Sequence, residues 1–574
     1  METYKPTPEL VTAGTPRTTA QVRLKVNEHV KILEAPLGTT IESYIHAAGI
    51  QTPVPVVAAL VNGKLAELTM PVTSDVEAVP LTMSNTDGSR IYRRSLAFVL
   101  IVAAHELFPD AKIVVDHSMP FGGFYCEIAG RSPLNAEELA RLELRMREIV
   151  AADEPVIKQR MTLETARETF EKQGYEDKLR LLKYRTKDYL TVYQLRGLTD
   201  YFYGYMVPST GYLKYFRVRE RQPGFVLHFP RRSRPGDVAG FSESSKLLSI
   251  FREHAGWMRV MDVQDVAALD RAIETDRIRE VILVNEALHE HRISEIAEMV
   301  RERRGQVRTI LIAGPSSSGK TTFSKRLSIQ LLAQGLRPVA IELDNYFVDR
   351  ELSPKGKDGN YDFEALEALD LTLFNENLLT LIAGKTVQLP QYNFKTGKRE
   401  PGKQLAISPD HLLLIEGIHG LDPALVPQIP PESMFRIYVS ALTQLNIDQH
   451  NRVATTDTRL VRRIVRDNAT RGYTAQVTIG RWEAVRAGEN RWIFPFQENA
   501  DVMFNSALVY EHAVLKPVVE PLLRQIRPGS PEYMEAERLL AFLEWFLPCP
   551  PDHIPDNSLL REFIGGSTLR DFSV

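Results

Sequence analysis

The residues best suited to chemistry stand in one segment, RTILIAGPSSSGKTTFSKRLSIQLLAQG, which begins at Arg308. It holds the spacing Gly314-x-x-x-x-Gly319-Lys320-Thr321 between a short apolar run and an amphipathic helix pattern. The two glycines let the backbone curl so that successive N–H groups point at phosphate oxygens, and the helix N-terminus adds partial positive charge. The lysine reaches the outer phosphates, and the threonine hydroxyl is placed to ligate Mg²⁺. The segment therefore predicts a site for a nucleoside triphosphate.

Acidic residues follow two further apolar runs downstream. Pro338–Leu343 leads to Asp344, and His411–Ile415 leads to Glu416. Ligands of a doubly wound parallel sheet bind at the carboxyl ends of its strands, so both carboxylates are candidates for accepting a proton or binding a metal. Either one alone is also explained as a helix cap or turn residue. Two of them beside a phosphate-binding loop favour a functional role.

A third group lies in the arginine-rich segment TRLVRRIVRDNATRG, which starts at Thr458. On a helix, Arg459, Arg463 and Arg466 share one face, with Arg462 beside them. Forked guanidinium groups suit the charge spread over a transferring phosphoryl group. A solvated basic helix is the alternative, but the position after a third strand favours a lid over the phosphates.

The elements that hold these groups belong to a multidomain chain of 574 residues, 44% hydrophobic and 25% charged, which is typical of globular proteins. Lys+Arg 70 against Asp+Glu 73 give a net charge of −3, so no overall field attracts nucleic acid or anionic membrane. The longest apolar run, Leu96 to Ala104, is too short to span a bilayer. The first residues lack a signal-peptide pattern, and two cysteines exclude a disulfide framework. We expect a cytoplasmic protein with no membrane partner.

Patterning along the chain predicts six segments. They are a flexible arm (1–20), a small α+β module (21–84), a second α+β module (90–240), a helical connector (241–305), the phosphate-loop domain (306–525) and a helical tail with a frayed end (526–574). Gln21–Leu33 alternates like a single strand. Residues 214–234 hold seven basic side chains and one acidic, which indicates a solvated β-ribbon or a contact with RNA or phosphate. Ala441–Thr456, with Asp448 and His450, is explained most simply as a solvated loop.

Residues 306–525 resemble the uridine kinase and phosphoribulokinase branch of the P-loop kinases. The marks, in the family's order, are GPSSSGKTT, LDNYF, GNYDFE, LPQYNF, LLIEGI and RRIVRDNATRG. The resemblance implies an α/β fold whose parallel sheet is flanked by helices. It also implies transfer of the γ-phosphate of ATP, with Mg²⁺, to a hydroxyl of a small molecule, with a nucleoside such as uridine or cytidine as the first candidate.

By position, the resemblance implies roles for the matching residues. Asp344 is the expected general base, with Lys320 and Arg463 as the other catalytic groups, and Thr321 and Glu416 are expected at magnesium. The expected ATP contacts are Gly314, Pro315, Ser316, Ser317, Ser318, Gly319, Lys320, Thr321, Thr322, Arg466 and Arg471. The expected contacts to the hydroxyl acceptor are Asp344, Tyr346, Asp362, Tyr392, Phe394, Arg399 and Arg463.

Two positions depart from the uridine kinase pattern. Gly397 stands where those kinases usually carry a histidine that reads the pyrimidine, and Tyr473 stands where an arginine is usual. Losing a specific hydrogen-bond partner can change substrate discrimination by large factors. The same region holds several cations, namely Lys355, Lys357, Lys395, Lys398 and Arg399. A sugar phosphate or a polyol therefore stands as the alternative acceptor.

The N-terminal half resembles a β-grasp (TGS, ubiquitin-like) module over 21–84 and the second domain of threonyl-tRNA synthetases over 90–225. The marks are HELFPDAKIVV, GGFY and VPSTGYLKYFRV. The positions that correspond to the metal ligands of that domain carry Arg94, Phe98, Phe202 and Met206, and neither His105 nor His117 lies at one of them. The resemblance implies lost editing and an RNA or protein partner for this half. An RNA-binding regulator whose P-loop acts as a nucleotide switch is the alternative to a kinase.

Overall fold

The computed structural model describes residues 17–26, 29–238, 240, 245–356, 359 and 361–573. The strands are β1 (Thr19–Val26), β2 (His29–Pro36), β3 (Val56–Val61), β4 (Lys64–Ala66), β5 (Val76–Thr82), β6 (Lys112–Met119), β7 (Gly123–Ala129), β8 (Ile157–Thr162), β9 (Tyr189–Leu195), β10 (Leu198–Tyr201), β11 (Arg217–Arg221), β12 (Gly224–His228), β13 (Thr309–Ala313), β14 (Arg337–Glu342), β15 (Val387–Asn393), β16 (Lys398–Leu405), β17 (His411–Glu416), β18 (Met434–Ser440) and β19 (Val502–Asn505). The helices are α1 (Ile41–Ala47), α2 (Thr86–Leu107), α3 (Ala136–Ala151), α4 (Leu163–Lys172), α5 (Glu176–Leu182), α6 (Ser245–Val260), α7 (Val266–Glu274), α8 (Ile278–Glu302), α9 (Lys320–Ala333), α10 (Leu371–Ile382), α11 (Thr455–Arg471), α12 (Ala475–Trp492), α13 (Glu511–Arg524), α14 (Tyr533–Leu543) and α15 (Arg561–Ile564). Within these ranges, none of the helices has the length and apolar character needed to cross a membrane.

The chain divides into two compact units whose segments alternate along the sequence. The first consists of residues 1–112, 128–160 and 191–239, and the second of residues 113–127, 161–190 and 240–574. The unit that carries the phosphate-binding loop therefore also includes two short pieces of the N-terminal half. The helical connector expected at 241–305 forms α6, α7 and α8 within this second unit.

The first unit contains a five-stranded mixed sheet in the order β2-β1-β5-β3-β4, which is the expected β-grasp arrangement. β1 pairs antiparallel with β2 and parallel with β5. The prediction of one strand over Gln21–Leu33 is wrong, because the chain reverses between β1 and β2. Alternation reports which face a residue occupies and carries no information about a change of direction. The predicted arm at 1–20 falls largely outside the described residues, and β1 takes in its last two positions.

The second unit is built on a parallel sheet in the order β14-β17-β13-β18-β19. Every residue of β13 is buried, as expected for a strand covered on both faces. Glu416 at the end of β17 lies in register with Ile312 of β13 on one side and with Glu342 of β14 on the other. The carboxyl ends of these strands, the loop after β13 and the carboxylates after β14 and β17 thus meet at one edge. The predicted α/β fold with a parallel sheet is confirmed.

The insertion at Ala441–Thr456 is packed inside the second unit, so the expectation of a solvated loop is wrong. Asp448 and His450 are 1% and 5% exposed. Asp448 forms a buried ion pair with Lys178 of α5 at 3.1 Å, and the Asn446 amide donates to two backbone carbonyls of β6. Its polar residues suggest solvent exposure in the sequence, but buried polar groups are accommodated when they are hydrogen-bonded.

Part of the C-terminal tail is packed, whereas Arg570, Asp571 and Ser573 are exposed and residue 574 lies outside the described residues, so fraying of the very end stays a prediction. The helical tail predicted at 526–574 contains the helix α14. Beyond it, Leu559, Leu560 and Phe563 are each at most 1% exposed. Apolar residues in short irregular segments show no clear period, so their burial was not visible in the sequence pattern.

Candidate active site

The phosphate-binding loop depends on two glycines for different reasons. A Cβ at Gly314 would lie 1.9 Å from the carbonyl oxygen of Val439, so no larger residue fits there. Gly319 has φ +81°, the left-handed region that glycine tolerates best, and α9 begins at the next residue, Lys320. The first N–H groups of a helix lack intrahelical partners, so those of α9 are available to bind an anion.

Lys320, Thr321 and Glu416 lie together at the carboxyl edge of the sheet. The Thr321 hydroxyl donates to Oε2 of Glu416 at 3.3 Å, and the Lys320 ammonium lies 3.9 Å from Oε1 of the same carboxylate. Hydroxyl and carboxylate oxygens are the donors that Mg²⁺ prefers. The Thr321 hydroxyl and the Glu416 carboxylate therefore fit the magnesium site expected from the sequence.

Glu416 has an unusual protonation equilibrium. Burial raises the pKa of Glu416 to about 7, and the positive charge of Lys320 opposes that shift. The negative charges of Asp344, Glu342 and Glu562 raise the pKa of this carboxyl further. A bound cation would favour the ionised form of such a group. The site is therefore short of positive charge near Glu416, which is what a divalent cation supplies.

Asp344 follows β14 in a 3-10 turn at Leu343–Tyr346. Its side chain reaches solvent, yet the surrounding protein limits its hydration and raises the pKa of Asp344 above its usual value. The positive charges of Lys320, Arg471 and Arg466 oppose that rise in the pKa of Asp344. An aspartate with a raised pKa is a stronger proton acceptor when ionised, which suits a general base.

Glu364 is a further carboxylate near the site, which the sequence analysis did not single out. Burial raises the pKa of Glu364 to about 7, with a further contribution from the charge of Glu489 and opposition from that of Arg463. A Cβ at Gly488, inside α12, would lie 2.5 Å from the Cβ of Glu364. A glycine within a helix often marks a close approach, and Gly488 was the available signal.

The arginines of α11 divide into two groups. Arg459 and Arg462 are fully buried, so their expected part in a phosphate lid is wrong. Arg459 pairs with Glu489, which also accepts a hydrogen bond from the backbone N–H of Ser316 in the loop. Arg462 pairs with Glu511 at 2.5 Å. Helical spacing predicts which residues share a face of the helix. It does not predict which of those residues are covered by neighbouring helices.

Arg463, Arg466 and Arg471 form the second group. All three approach the buried carboxylate of Asp467, at 3.3, 2.9 and 3.5 Å respectively. Arg463 also donates to the Ser316 hydroxyl at 2.6 Å, so it contacts the phosphate-binding loop. One carboxylate leaves three guanidinium groups with a local excess of positive charge. Such a cluster is suited to binding phosphate oxygens.

The hairpin of β15 and β16 lies beside the Asp344 segment. The backbone N–H of Tyr392 donates to Oδ1 of Asn345 at 3.2 Å. Its ring lies 5.5 Å from that of Phe347 and 5.0 Å from that of Phe394, between centroids. Phe394 is 59% exposed, so this aromatic cluster presents an apolar surface. It is the part of the expected acceptor site that the structure brings next to Asp344.

Other expected acceptor contacts are engaged elsewhere. Tyr346 is 1% exposed within the core beneath the sheet, where Asn377 donates to its hydroxyl, so its side chain is not presented to an acceptor. Arg399 forms an ion pair with Asp370 at 2.7 Å. Asp362 accepts a hydrogen bond from the backbone N–H two residues further on.

Arg350 occupies the space that Gly397 leaves. Gly397 has φ +72°, and a Cβ there would lie 2.8 Å from Cζ of Arg350. The Arg350 guanidinium donates to the carbonyl oxygen of Phe394 at 2.8 Å, and its backbone N–H donates to that of Gly397. In the described part of the chain, no carboxylate lies within ion-pair distance of Arg350. The guanidinium of Arg350 therefore lies beside Gly397, where uridine kinases usually carry the histidine that contacts the pyrimidine.

Tyr473 and the lysines near the expected acceptor site each have different neighbours. The Arg481 guanidinium lies 4.9 Å from the ring centroid of Tyr473. Lys355 lies over the ring of Tyr361 at 5.5 Å, whereas Lys357 falls outside the described residues. Lys395 and Lys398 are exposed at the turn of the hairpin.

In the first unit, apolar packing fills the positions that correspond to synthetase metal ligands. The rings of Phe98 and Phe202 lie 5.2 Å apart between centroids, and both are buried. The Ser95 hydroxyl lies 3.3 Å from the Met206 sulfur, and Arg94 donates to a backbone carbonyl at 2.7 Å. Across the ranges that the structure describes, no group of three or more His, Cys, Asp or Glu residues is placed to hold a metal ion.

The His105 and His117 side chains have no shared site. His105 is exposed at the end of α2. His117 is buried in the second unit, where its ring stacks on Phe251 at 3.7 Å between centroids and its Nδ1 lies 2.9 Å from Asp116. A structural role in packing explains the buried histidine.

Comparison with known proteins assigns the two halves to different relatives. Residues 309–510 match the family described as "Phosphoribulokinase / Uridine kinase family". The N-terminal region matches threonine-tRNA ligases: 29% identity over 188 residues with that of Symbiobacterium thermophilum, covering 33% of this chain and 29% of that protein. With that of Acidovorax sp. (strain JS42) the identity is 32% over 162 residues, covering 28% of this chain and 25% of that protein. The chain therefore spans less than a third of the length of these ligases.

Solved structures include a "possible uridine kinase" from Bacillus stearothermophilus. It is 20% identical, and the alignment covers 38% of this chain and 98% of that chain with a TM-score of 0.26. The family match spans the phosphate-binding loop, Asp344, Glu416 and the arginines of α11. As expected from the sequence, residues 309–510 are similar to the phosphoribulokinase and uridine kinase family, and the N-terminal region is similar to part of threonine-tRNA ligases.

Proposed function

We propose that this protein transfers the γ-phosphate of ATP, in the presence of Mg²⁺, to a hydroxyl group of a small molecule. The observation that carries the proposal is that Asp344 follows β14 at the carboxyl edge of a parallel sheet, where the positive charges of Lys320, Arg466 and Arg471 act on its carboxyl group. A phosphate-binding loop alone would serve a nucleotide switch equally well. A carboxylate placed as a proton acceptor among phosphate-binding cations is what a kinase needs in addition.

Each group then has one task in the transfer. The loop amides and Lys320 bind the β- and γ-phosphates, and Thr321 with Glu416 would hold the metal. Mg²⁺, when bound, neutralises charge on the phosphate oxygens. As the acceptor oxygen forms its bond to the γ-phosphorus, the bond from phosphorus to the bridging β–γ oxygen breaks and ADP leaves. The hydroxyl proton passes to Asp344.

The arginine cluster supplies charge stabilisation. Arg463, Arg466 and Arg471 share one carboxylate, Asp467, so positive charge remains for the phosphoryl oxygens. In phosphoryl transfer, positioning and electrostatic stabilisation provide most of the catalysis. Arg463 is expected between nucleotide and acceptor, because it also contacts Ser316 of the loop.

A nucleoside is the first candidate acceptor. The rings of Phe347, Tyr392 and Phe394 form a partly exposed aromatic surface next to Asn345, and such a surface suits a planar base. Phosphorylation of uridine or cytidine in a coupled assay for ADP release tests this choice. The Phe394→Ala variant is expected to raise KM for the nucleoside while leaving ATP binding unchanged.

A sugar phosphate is the second candidate, and Arg350 favours it. This arginine lies against Gly397 and has no described carboxylate within ion-pair distance, so an anionic group on the acceptor would complete its charge. A polyol lacks that group. The Arg350→Ala variant should raise KM for a sugar phosphate and leave KM for uridine unchanged, which separates the two candidates.

The N-terminal half is proposed to bind an RNA or protein partner. The support is its similarity to a region of threonine-tRNA ligases, together with the packed apolar cluster around Phe98 and Phe202 in place of metal ligands. A cytoplasmic setting is part of the same proposal. Electrophoretic mobility shifts with tRNA, in the presence and absence of ATP, test the RNA arm directly.

A further inference from the structure

The C-terminal segment packs on the first turns of the phosphate-loop helix. Leu559 covers Gly319, where an added Cβ would lie 2.5 Å from its Cδ2 atom. The Thr322 hydroxyl donates to Oε2 of Glu562 at 2.8 Å. The Lys325 ammonium donates to the backbone carbonyl groups of Leu569 and Arg570 at 2.7 and 2.9 Å. The family match ends at residue 510, so these contacts to the phosphate-binding loop and α9 come from residues outside the matched region.

The segment is firmly anchored. Leu560 and Phe563 are buried, and the Arg462 guanidinium lies over the Phe563 ring at 5.1 Å from its centroid. The Ser558 hydroxyl donates to the Glu286 carboxylate. Because these contacts fix α15 in place, the carboxylate of Glu562 has a defined position beside the helix N-terminus.

That position gives Glu562 an electrostatic effect on the bound nucleotide. It contacts Thr322, a first-turn residue of α9 whose neighbouring backbone N–H groups are available to phosphate. A carboxylate there repels the negative charge of metal-free ATP, which carries no divalent cation to offset it. The same carboxylate attracts Mg²⁺.

We propose that Glu562 makes the nucleotide site discriminate against metal-free ATP in favour of the magnesium complex. Glu562 acts through the charge of its carboxylate, which is held beside Thr322. We assign it no contact with the reacting atoms, so its role is in selectivity and not in the chemical step. The inference rests on the proposed function only for the statement that ATP binds at this loop. Glu562 lies outside residues 309–510, so this selectivity is not implied by the family match.

The test is calorimetric titration of the full-length protein with ATP, once with excess Mg²⁺ and once with EDTA. Glu562→Gln keeps the shape and an acceptor oxygen for Thr322 but removes the charge, and Glu562→Ala removes both. Asp552→Asn, an exposed carboxylate of the same segment, is the matched control. Both Glu562 variants should tighten metal-free ATP binding by roughly fivefold relative to wild type. Binding of the magnesium complex should change less, so the ratio of the two affinities falls.

Four results overturn the inference. An affinity ratio that is the same in wild type and in both Glu562 variants shows that the charge has no effect. Weakened binding in Glu562→Ala but wild-type values in Glu562→Gln shows that the hydrogen bond to Thr322 matters instead. The same fall in the ratio for Asp552→Asn shows a general effect of net charge. A wild-type protein that binds no ATP in either condition overturns the proposed function as well, which distinguishes the two failures.

Discussion

The hydroxyl of Thr321 lies 3.3 Å from Oε2 of Glu416. This contact joins the residue after the loop lysine to the last residue of β17, the strand that lies between β13 and β14 in the sheet. Parallel strand order alone brings the two oxygen donors together, because β13 and β17 end at the same edge. The pair provides oxygen donors for a magnesium ion beside the phosphate-binding loop.

Magnesium affinity should depend on pH through Glu416. Burial raises the pKa of this carboxyl to about 7, and the proton must leave before the carboxylate binds a cation. Apparent Mg²⁺ affinity should therefore be highest above that pKa and fall as pH drops through it, approaching roughly tenfold per pH unit. Titration of Mg²⁺ into the ATP-bound protein at a series of pH values measures this.

Glu416→Gln is the control for that experiment. The variant should bind Mg²⁺ weakly at every pH and show no step near neutrality. A wild-type protein whose Mg²⁺ affinity stays constant between about pH 8 and about pH 6 would exclude Glu416 as the titrating ligand.

Replacing Asp344 by Asn should remove phosphoryl transfer but keep ATP binding. The amide has nearly the shape of the carboxylate, yet it cannot accept the acceptor's proton, so kcat should fall by about 10²–10⁴-fold. ADP release and calorimetric ATP binding measure the two properties separately. Full transfer activity in Asp344→Asn would show that another group takes the proton. Unchanged ATP and RNA binding in Asp344→Asn, together with a wild-type protein that transfers no phosphate, would favour the nucleotide-switch alternative.

Substitutions in the two groups of arginines in α11 should affect different properties, namely stability for the buried group and ATP binding for the group that shares Asp467. Arg462→Met leaves the buried carboxylate of Glu511 without its partner and should lower the free energy of unfolding by about 3–5 kcal/mol. Arg471 is 49% exposed, so Arg471→Ala should change stability little. It should instead weaken ATP binding by roughly tenfold through loss of a charged phosphate contact. Urea unfolding and calorimetry provide the two readouts, and the reverse pattern would contradict the division.

The ion pair of Lys178 and Asp448 should contribute strongly to the stability of the second unit. Lys178→Met removes this cation from the buried carboxylate of Asp448 and should lower the free energy of unfolding of the full chain in urea by about 3–5 kcal/mol. Adding Asp448→Asn should recover part of that loss. The matched control is Lys183→Met, whose ion pair with Glu274 is exposed to solvent, and it should lower the free energy of unfolding far less. Equal losses for the two lysine variants would contradict a buried pair.

The parts that sequence predicts well are those where one local pattern has one structural solution. The loop from Gly314 to Thr321 needs a strand before it and a helix after it, and both are present. Asp344 and Glu416 end parallel strands, so their convergence follows from topology. The arginine helix was also predictable as a helix, and its capping Gly472, with φ +67°, marks where it stops.

The parts that sequence reasoning missed depend on contacts between distant segments. Glu364 enters the site because Gly488 admits it, and nothing in the segment GNYDFE reports that approach. Burial of Asp448 depends on Lys178, which is far away in the chain. Arg350 fills the space over Gly397 only after the hairpin has folded. In each case a polar residue looks solvent-exposed until its partner is known.

The most direct test of the account is transfer of the γ-phosphate from ATP, with Mg²⁺, to a panel of nucleosides, nucleotides, sugar phosphates and polyols. Lys320→Ala serves as the blank. The account predicts ADP formed in equal amount to a phosphorylated hydroxyl of at least one acceptor, with no product from the blank. ATP binding at the loop without phosphorylation of any hydroxyl in the panel would contradict the kinase assignment and favour the nucleotide switch.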